Sequence, residues 1–158
     1  KASDFVSGQK WGRVGADVYL LARIHDRMDF PTTQQAVKNL AALPPYAPAK
    51  LVEDKANGAA IIASLQSMIA GLIAVEPDGS KQARAAAVSP FIEAGNVYLP
   101  DPEIAPWIEE FIAAHAVFPL GAYDDDVDAM SQALARRLLR TSAPLGAPMG
   151  TTQRSAWK

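Results

Sequence analysis

With 158 residues, 49% of them apolar and 20% charged, the chain has the balance of a single globular domain and not of a disordered tail. It contains no cysteine, which excludes a disulfide framework, a thiolate zinc site and a cysteine nucleophile. A net charge of −2 gives no overall basic footprint for nucleic acid, and no apolar run approaches the roughly 20 residues that span a bilayer.

The chain opens on Lys1-Ala2-Ser3-Asp4 with neither an initiator Met nor an apolar signal stretch, so it reads as a fragment or a processed product. Phe5 to Phe30 reads as a strand pair turning at Gly15, with Val18-Tyr19-Leu20-Leu21-Ala22 as a buried strand and His25 to Asp29 as its polar end. Thr33 is the expected N-cap of a helix running to about Leu43, ended by Pro44, Pro45 and Pro48. Lys50 to Asp54 reads as a short buried strand ending in acids. Asn57-Gly58 is the expected turn before a helix over 59–70 with Ile61, Ile62, Leu65, Met68 and Ile69 inward. Leu72 to Val75 is the next strand, Lys81 to Ala94 a helix interrupted at Pro90, and Val97-Tyr98-Leu99 a short strand. A helix over 103–115 should bury Ile104, Trp107, Ile108, Phe111 and Ile112, and a last one runs from Asp124 to Arg140. Residues 141–158, rich in Ala, Pro, Gly, Ser and Thr, read as a flexible tail behind one domain over 1–140. Antiparallel strands followed by strand–helix alternation predict an α/β fold: a mixed sheet flanked by helices.

Charge is sorted along the chain. Between Arg84 and Arg136 there is no Lys or Arg, yet that stretch holds nine of the seventeen acids. Segregation of this kind points to a cation site or a charged partner. Asp124, Asp125, Asp126 and Asp128 place four carboxylates at one helix start. Capping and the helix dipole account for one or two of them, and the surplus suits Mg²⁺ or Mn²⁺, which prefer carboxylate oxygen. Glu53 closes a short apolar strand, where a carboxylate needs a cation, a donor or a pair with Lys50 or Lys55. Two carboxylate sources far apart in sequence are what metal-assisted phosphodiester cleavage requires. Lys81 and Arg84, one turn apart, are candidate phosphate contacts or a solvated face. His25 and His115 lack metal-ligand spacing. There is no P-loop and no nucleophile elbow.

Four segments share one resemblance. Leu51-Val52-Glu53-Asp54 through Ile61, Lys81-Gln82-Ala83-Arg84, Gly95-Asn96-Val97-Tyr98-Leu99-Pro100, and Phe118-Pro119-Leu120-Gly121-Ala122-Tyr123-Asp124-Asp125-Asp126-Val127-Asp128-Ala129 occur in the order found in the nuclease domain of bacteriophage terminase large subunits. The sequence resembles that family from about Ser3 to Leu139. The resemblance implies an RNase H-like fold and two-metal endonuclease chemistry on concatemeric double-stranded DNA, with Mg²⁺ or Mn²⁺ as cofactor. It implies Glu53 as the acid of the middle strand, Asp125 with Asp124 as the acid of the last helix, Asp128 as support, and Lys81 and Arg84 near the DNA backbone. It further implies an ATPase motor, a small terminase subunit and a portal protein as partners, in the cytoplasm of a bacterial host carrying a phage or prophage. The family's first strand, with its metal-binding Asp, precedes the segment that corresponds to Ser3-Asp4-Phe5, so the first strand is expected to be missing here; Asp4 would be only an auxiliary acid. Two other readings stand beside this one: a non-catalytic packaging or portal-docking module, and another RNase H-like nuclease such as a junction resolvase.

Overall fold

A computed structural model describes residues 5–55 and 57–136, so Asp4, Arg140 and the expected tail lie outside the described residues. Strands β1 (Phe5–Val14) and β2 (Asp17–Arg27) form the expected antiparallel hairpin. Gly15 opens its two-residue turn at φ 61°, a backbone setting that glycine reaches without a Cβ penalty. Between Lys10 and Trp11 the register slips past Leu21, a bulge on β2; Lys10 and Trp11 are consecutive and both buried, so β1 is covered on both faces there. Strand β5 (Val97–Tyr98) adds parallel to β2, and Tyr19 stacks on Tyr98 with centroids 4.8 Å apart.

Helix α1 (Phe30–Ala42) starts three residues before the expected cap. Asp29 caps it, accepting from the Thr32 amide at 2.9 Å, and Pro31 suits the first turn, whose N–H groups have no helical partner. Thr33 instead lies inside the helix and donates its hydroxyl to Asp29 O at 2.8 Å. Strand β3 (Lys50–Glu53) and strand β4 (Leu72–Val75) pair in parallel across helix α2 (Asn57–Leu65). This helix ends five residues earlier than its periodicity predicts, and Met68 is 61% exposed in the turns that lead back to β4.

Helix α3 (Lys81–Glu93) is capped by Ser80, which accepts from the Ala83 amide at 3.1 Å, and it runs through Pro90 without dividing. Helix α4 (Ile108–Ala116) begins only after Pro106. The residues before it form turns on Asp101, which leave Ile104 82% exposed; Ile112, also expected inside, faces solvent. Helix α5 (Asp125–Leu134) packs against β1 and α3.

The core lies between the larger sheet and helices α3, α4 and α5: Trp11, Val18, Leu20, Val88, Ile108, Phe111, Met130 and Leu134. The expected mixed α/β sheet is present as two pieces, β1-β2-β5 and β3-β4. A cavity of about 730 Å³ lies between β1 and β3, roofed by α1, α2 and α5 residues such as Leu40, Ile61 and Ala129. β1 and β3 each pair on one side only among the described residues.

Candidate functional site

The start of α5 faces this cavity. Asp128 and Ala129 each lie three or four residues from both Asp125 and Gln132, which puts the four on one helical face, and all four line the cavity together with Glu53 at the end of β3. Of the expected acids, Glu53, Asp125 and Asp128 therefore line one space, and Asp124 does not line it. Gln132 Nε2 donates to Glu53 Oε2 at 3.2 Å, and Lys55 Nζ lies 3.5 Å from Glu53 Oε1. The expected Lys55 pair is real, but Lys55 is 63% exposed, so water screens it.

The four aspartates do four different things. Asp124 stands at the N-cap without making a side-chain cap bond; its Oδ1 takes Lys81 Nζ at 2.5 Å. Asp128 is buried and its Oδ1 receives Arg84 Nε at 2.9 Å and Nη2 at 2.5 Å, while Arg84 Nη1 donates to Gly79 O at 2.7 Å. Asp126 is 3% exposed and turns away from the cavity toward the hairpin. Its Oδ1 accepts from Ser7 Oγ at 2.6 Å, its Oδ2 from Arg23 Nη2 at 2.5 Å and Nε at 3.1 Å, and its backbone carbonyl from Gln9 Nε2 at 2.8 Å. Asp125 is the least compensated: its nearest cation, Lys81, is 3.9 Å away.

Electrostatics follow this sorting. Partial burial and then the neighbouring charges of Asp124 and Asp126 push the Asp125 carboxyl above its ordinary range, against the pull of Lys81 and His25. Burial alone would raise Asp126 as well. The Arg23 and Ser7 hydrogen bonds and the Arg23 charge outweigh it and hold Asp126 below the usual range. An acid raised by burial and like charges at a cavity is the kind that a bound cation would neutralise.

Carboxylates are the right donors for Mg²⁺ or Mn²⁺, and Asp125 lacks a close counter-charge, so the chemistry of the set fits a divalent cation. The set is incomplete in number. Among the described residues no three acids or histidines converge to enclose a metal ion. Lys81 and Arg84, expected beside DNA, are paired with acids of α5, with side chains 35% and 14% exposed.

Several residues of this site escaped the sequence reading. Arg23 was visible only as a charge within an otherwise apolar strand. His25 Nδ1 lies 2.7 Å from Arg23 Nη2 and 3.3 Å from Glu110 Oε1, a grouping with no local spacing to announce it. Gln132 carried no signal beyond sharing a face with Asp125 and Asp128.

Residues 1–137 match the family described as the terminase RNase H-like domain. The chain belongs to that family. None of the curated proteins compared matches it. None of the described helices is long and apolar enough to cross a membrane.

Proposed function

We propose that this terminase RNase H-like domain is a metal-dependent endonuclease that cuts concatemeric double-stranded DNA during viral packaging. The observation that carries the reading is that Glu53, from β3, and Asp125 and Asp128, from α5, line one cavity. Glu53 and Asp125 would hold Mg²⁺ or Mn²⁺, with Asp128 and Asp124 as supporting charges. Bound divalent cations would supply activation of water and stabilisation of the leaving oxygen. Gln132 would keep Glu53 turned toward α5. Arg84 would hold Asp128 in place, and Lys81, the more exposed of the two cations, would meet the phosphate backbone.

The cavity between β1 and β3 also supports the expectation of an additional strand. A strand there would join the two sheet pieces, and an acid on it would bring a third carboxylate beside Glu53 and Asp125. Asp4 would be an auxiliary acid at most. An ATPase motor, a small terminase subunit and a portal protein are the partners this reading brings with it, in the cytoplasm of a bacterial host that carries the phage or prophage. The family assignment favours this over a junction resolvase.

A second reading rests on a specific observation: Asp124, Asp126 and Asp128 are already matched by Lys81, Arg23 and Arg84. A non-catalytic packaging or portal-docking module would need no more than that. Plasmid cleavage in Mn²⁺ by the natural full-length protein separates the two. Cleavage lost on Glu53→Ala or Asp125→Ala supports the nuclease; no cleavage by the wild type, or cleavage indifferent to Glu53→Ala, overturns it.

A further inference from the structure

We propose that Arg23 is a positioning residue that sets the rotation of α5, acting through Asp126. The inference builds on the nuclease reading but concerns a residue outside all four motifs. Arg23 sits on β2 with its side chain 4% exposed. Its guanidinium lies 5.9 Å from the ring centroids of both Trp107 and Phe111, and it reaches Glu110 Oε1 at 3.1 Å as well as Asp126. A planar fork packed against rings on α4 and its approach has little freedom to follow a moving partner. Ser7 and Gln9 on β1 fix Asp126 from a second strand.

This clamp has a directional consequence. A buried carboxylate is costly unless its oxygens are satisfied, so α5 is held at the rotation that presents Asp126 to Arg23, Ser7 and Gln9. Successive residues of a helix differ by about 100°. With Asp126 turned to the hairpin, Asp125 and the residues stacked on it, Asp128 and Gln132, must face the cavity and Glu53. One acid of the run is thus a strut that aims the others. Without Arg23, Asp126 would keep Ser7 and Gln9 but lose the guanidinium that matches its charge, next to three other carboxylates, and the first turns of α5 would be held less firmly at this rotation.

The test compares Arg23→Gln with Val18→Ala in the natural full-length protein. Val18 is a fully buried core residue on the same strand. Backbone hydrogen exchange from Asp128 to Ser131 is read first, without metal, at matched loss of thermal midpoint. Arg23→Gln should speed exchange there by about tenfold beyond Val18→Ala. Calorimetry should show Mn²⁺ affinity lowered about tenfold by Arg23→Gln and little changed by Val18→Ala. If Arg23→Gln does not fold, Asp126→Asn, which keeps acceptors for Ser7 and Gln9, enters the same comparison. Exchange in α5 no faster than in Val18→Ala overturns the proposal. A wild-type protein that binds no Mn²⁺ would sink the nuclease reading, and the exchange arm would still decide the role of Arg23.

Discussion

Gln132 Nε2 donates to Glu53 Oε2 at 3.2 Å, tying the second turn of α5 to the end of β3 across the cavity that both line. This is the one side-chain hydrogen bond described between the two elements that carry the proposed metal ligands. It is partly exposed, so its net worth to the fold is small, below about 1 kcal/mol. Its worth to the site should be larger, because an unheld Glu53 would turn outward to Lys55. Gln132→Ala should leave the thermal midpoint nearly unchanged and weaken Mn²⁺ binding by about tenfold. Titration calorimetry and thermal melts on the same preparations check this, and unchanged Mn²⁺ affinity would remove Gln132 from the site.

Gly58 bears on Glu53 from the other side. A Cβ placed on Gly58 would sit 1.8 Å from the backbone oxygen of Glu53. Both partners are backbone, so no rotamer change relieves the overlap, and the start of α2 must move away from the end of β3. Gly58→Ala should destabilise the domain by about 1–3 kcal/mol, the usual range for overpacking. Because the displaced atom belongs to Glu53, metal affinity should fall with stability. Urea unfolding with the same midpoint as wild type would show that the approach is not as close as described.

Much of the fold was legible because its signals are local. The hairpin announced itself through a β-branched run and a glycine turn. The errors came where local periodicity met a stronger constraint. Ile104 continues an apolar pattern, but Pro106 offers no N–H to a helix starting at Glu103, and turns on Asp101 take over. At the site, Glu53 and the run of aspartates could be picked out as carboxylates out of place. The division of labour among the four aspartates could not. Asp126 meets Arg23 across 103 positions of sequence, and nothing in either neighbourhood names the other.

Arg84 and Asp128 make the second such pair, with side chains 14% and 7% exposed. Arg84→Met would leave a buried carboxylate facing a carbonyl-rich turn at Gly79 and should cost about 3 kcal/mol. Adding Asp128→Leu removes the stranded charge and should return most of that loss. A urea denaturation cycle on the two single variants and the double variant measures the coupling directly. If the two single losses simply add in the double variant, Arg84 is a solvated cation and its pairing with Asp128 carries no weight.

Asp125 and Asp126 are adjacent, yet pH should act on them with opposite signs. Asp125 has its folded pKa raised, by burial and by like charges, so it favours the fold when protonated. That contribution is complete below the unfolded carboxylate pKa and is lost as pH rises through the folded value. Asp126 has its folded pKa lowered, because Arg23 and Ser7 overcome the cost of burial. Its contribution is present above the unfolded carboxylate pKa and is lost as pH falls through the folded value. At neutral pH, Asp125→Asn should therefore raise the thermal midpoint and Asp126→Asn should lower it. Both differences should shrink on acidification through the carboxylate range. Saturating Mn²⁺ should reverse the Asp125 effect alone, since a bound cation makes its ionised form the favourable one. Thermal melts of wild type and both variants, at neutral and acid pH with and without Mn²⁺, measure all of this. Two variants that move the midpoint in the same direction at neutral pH would show that the aspartates are not divided as described.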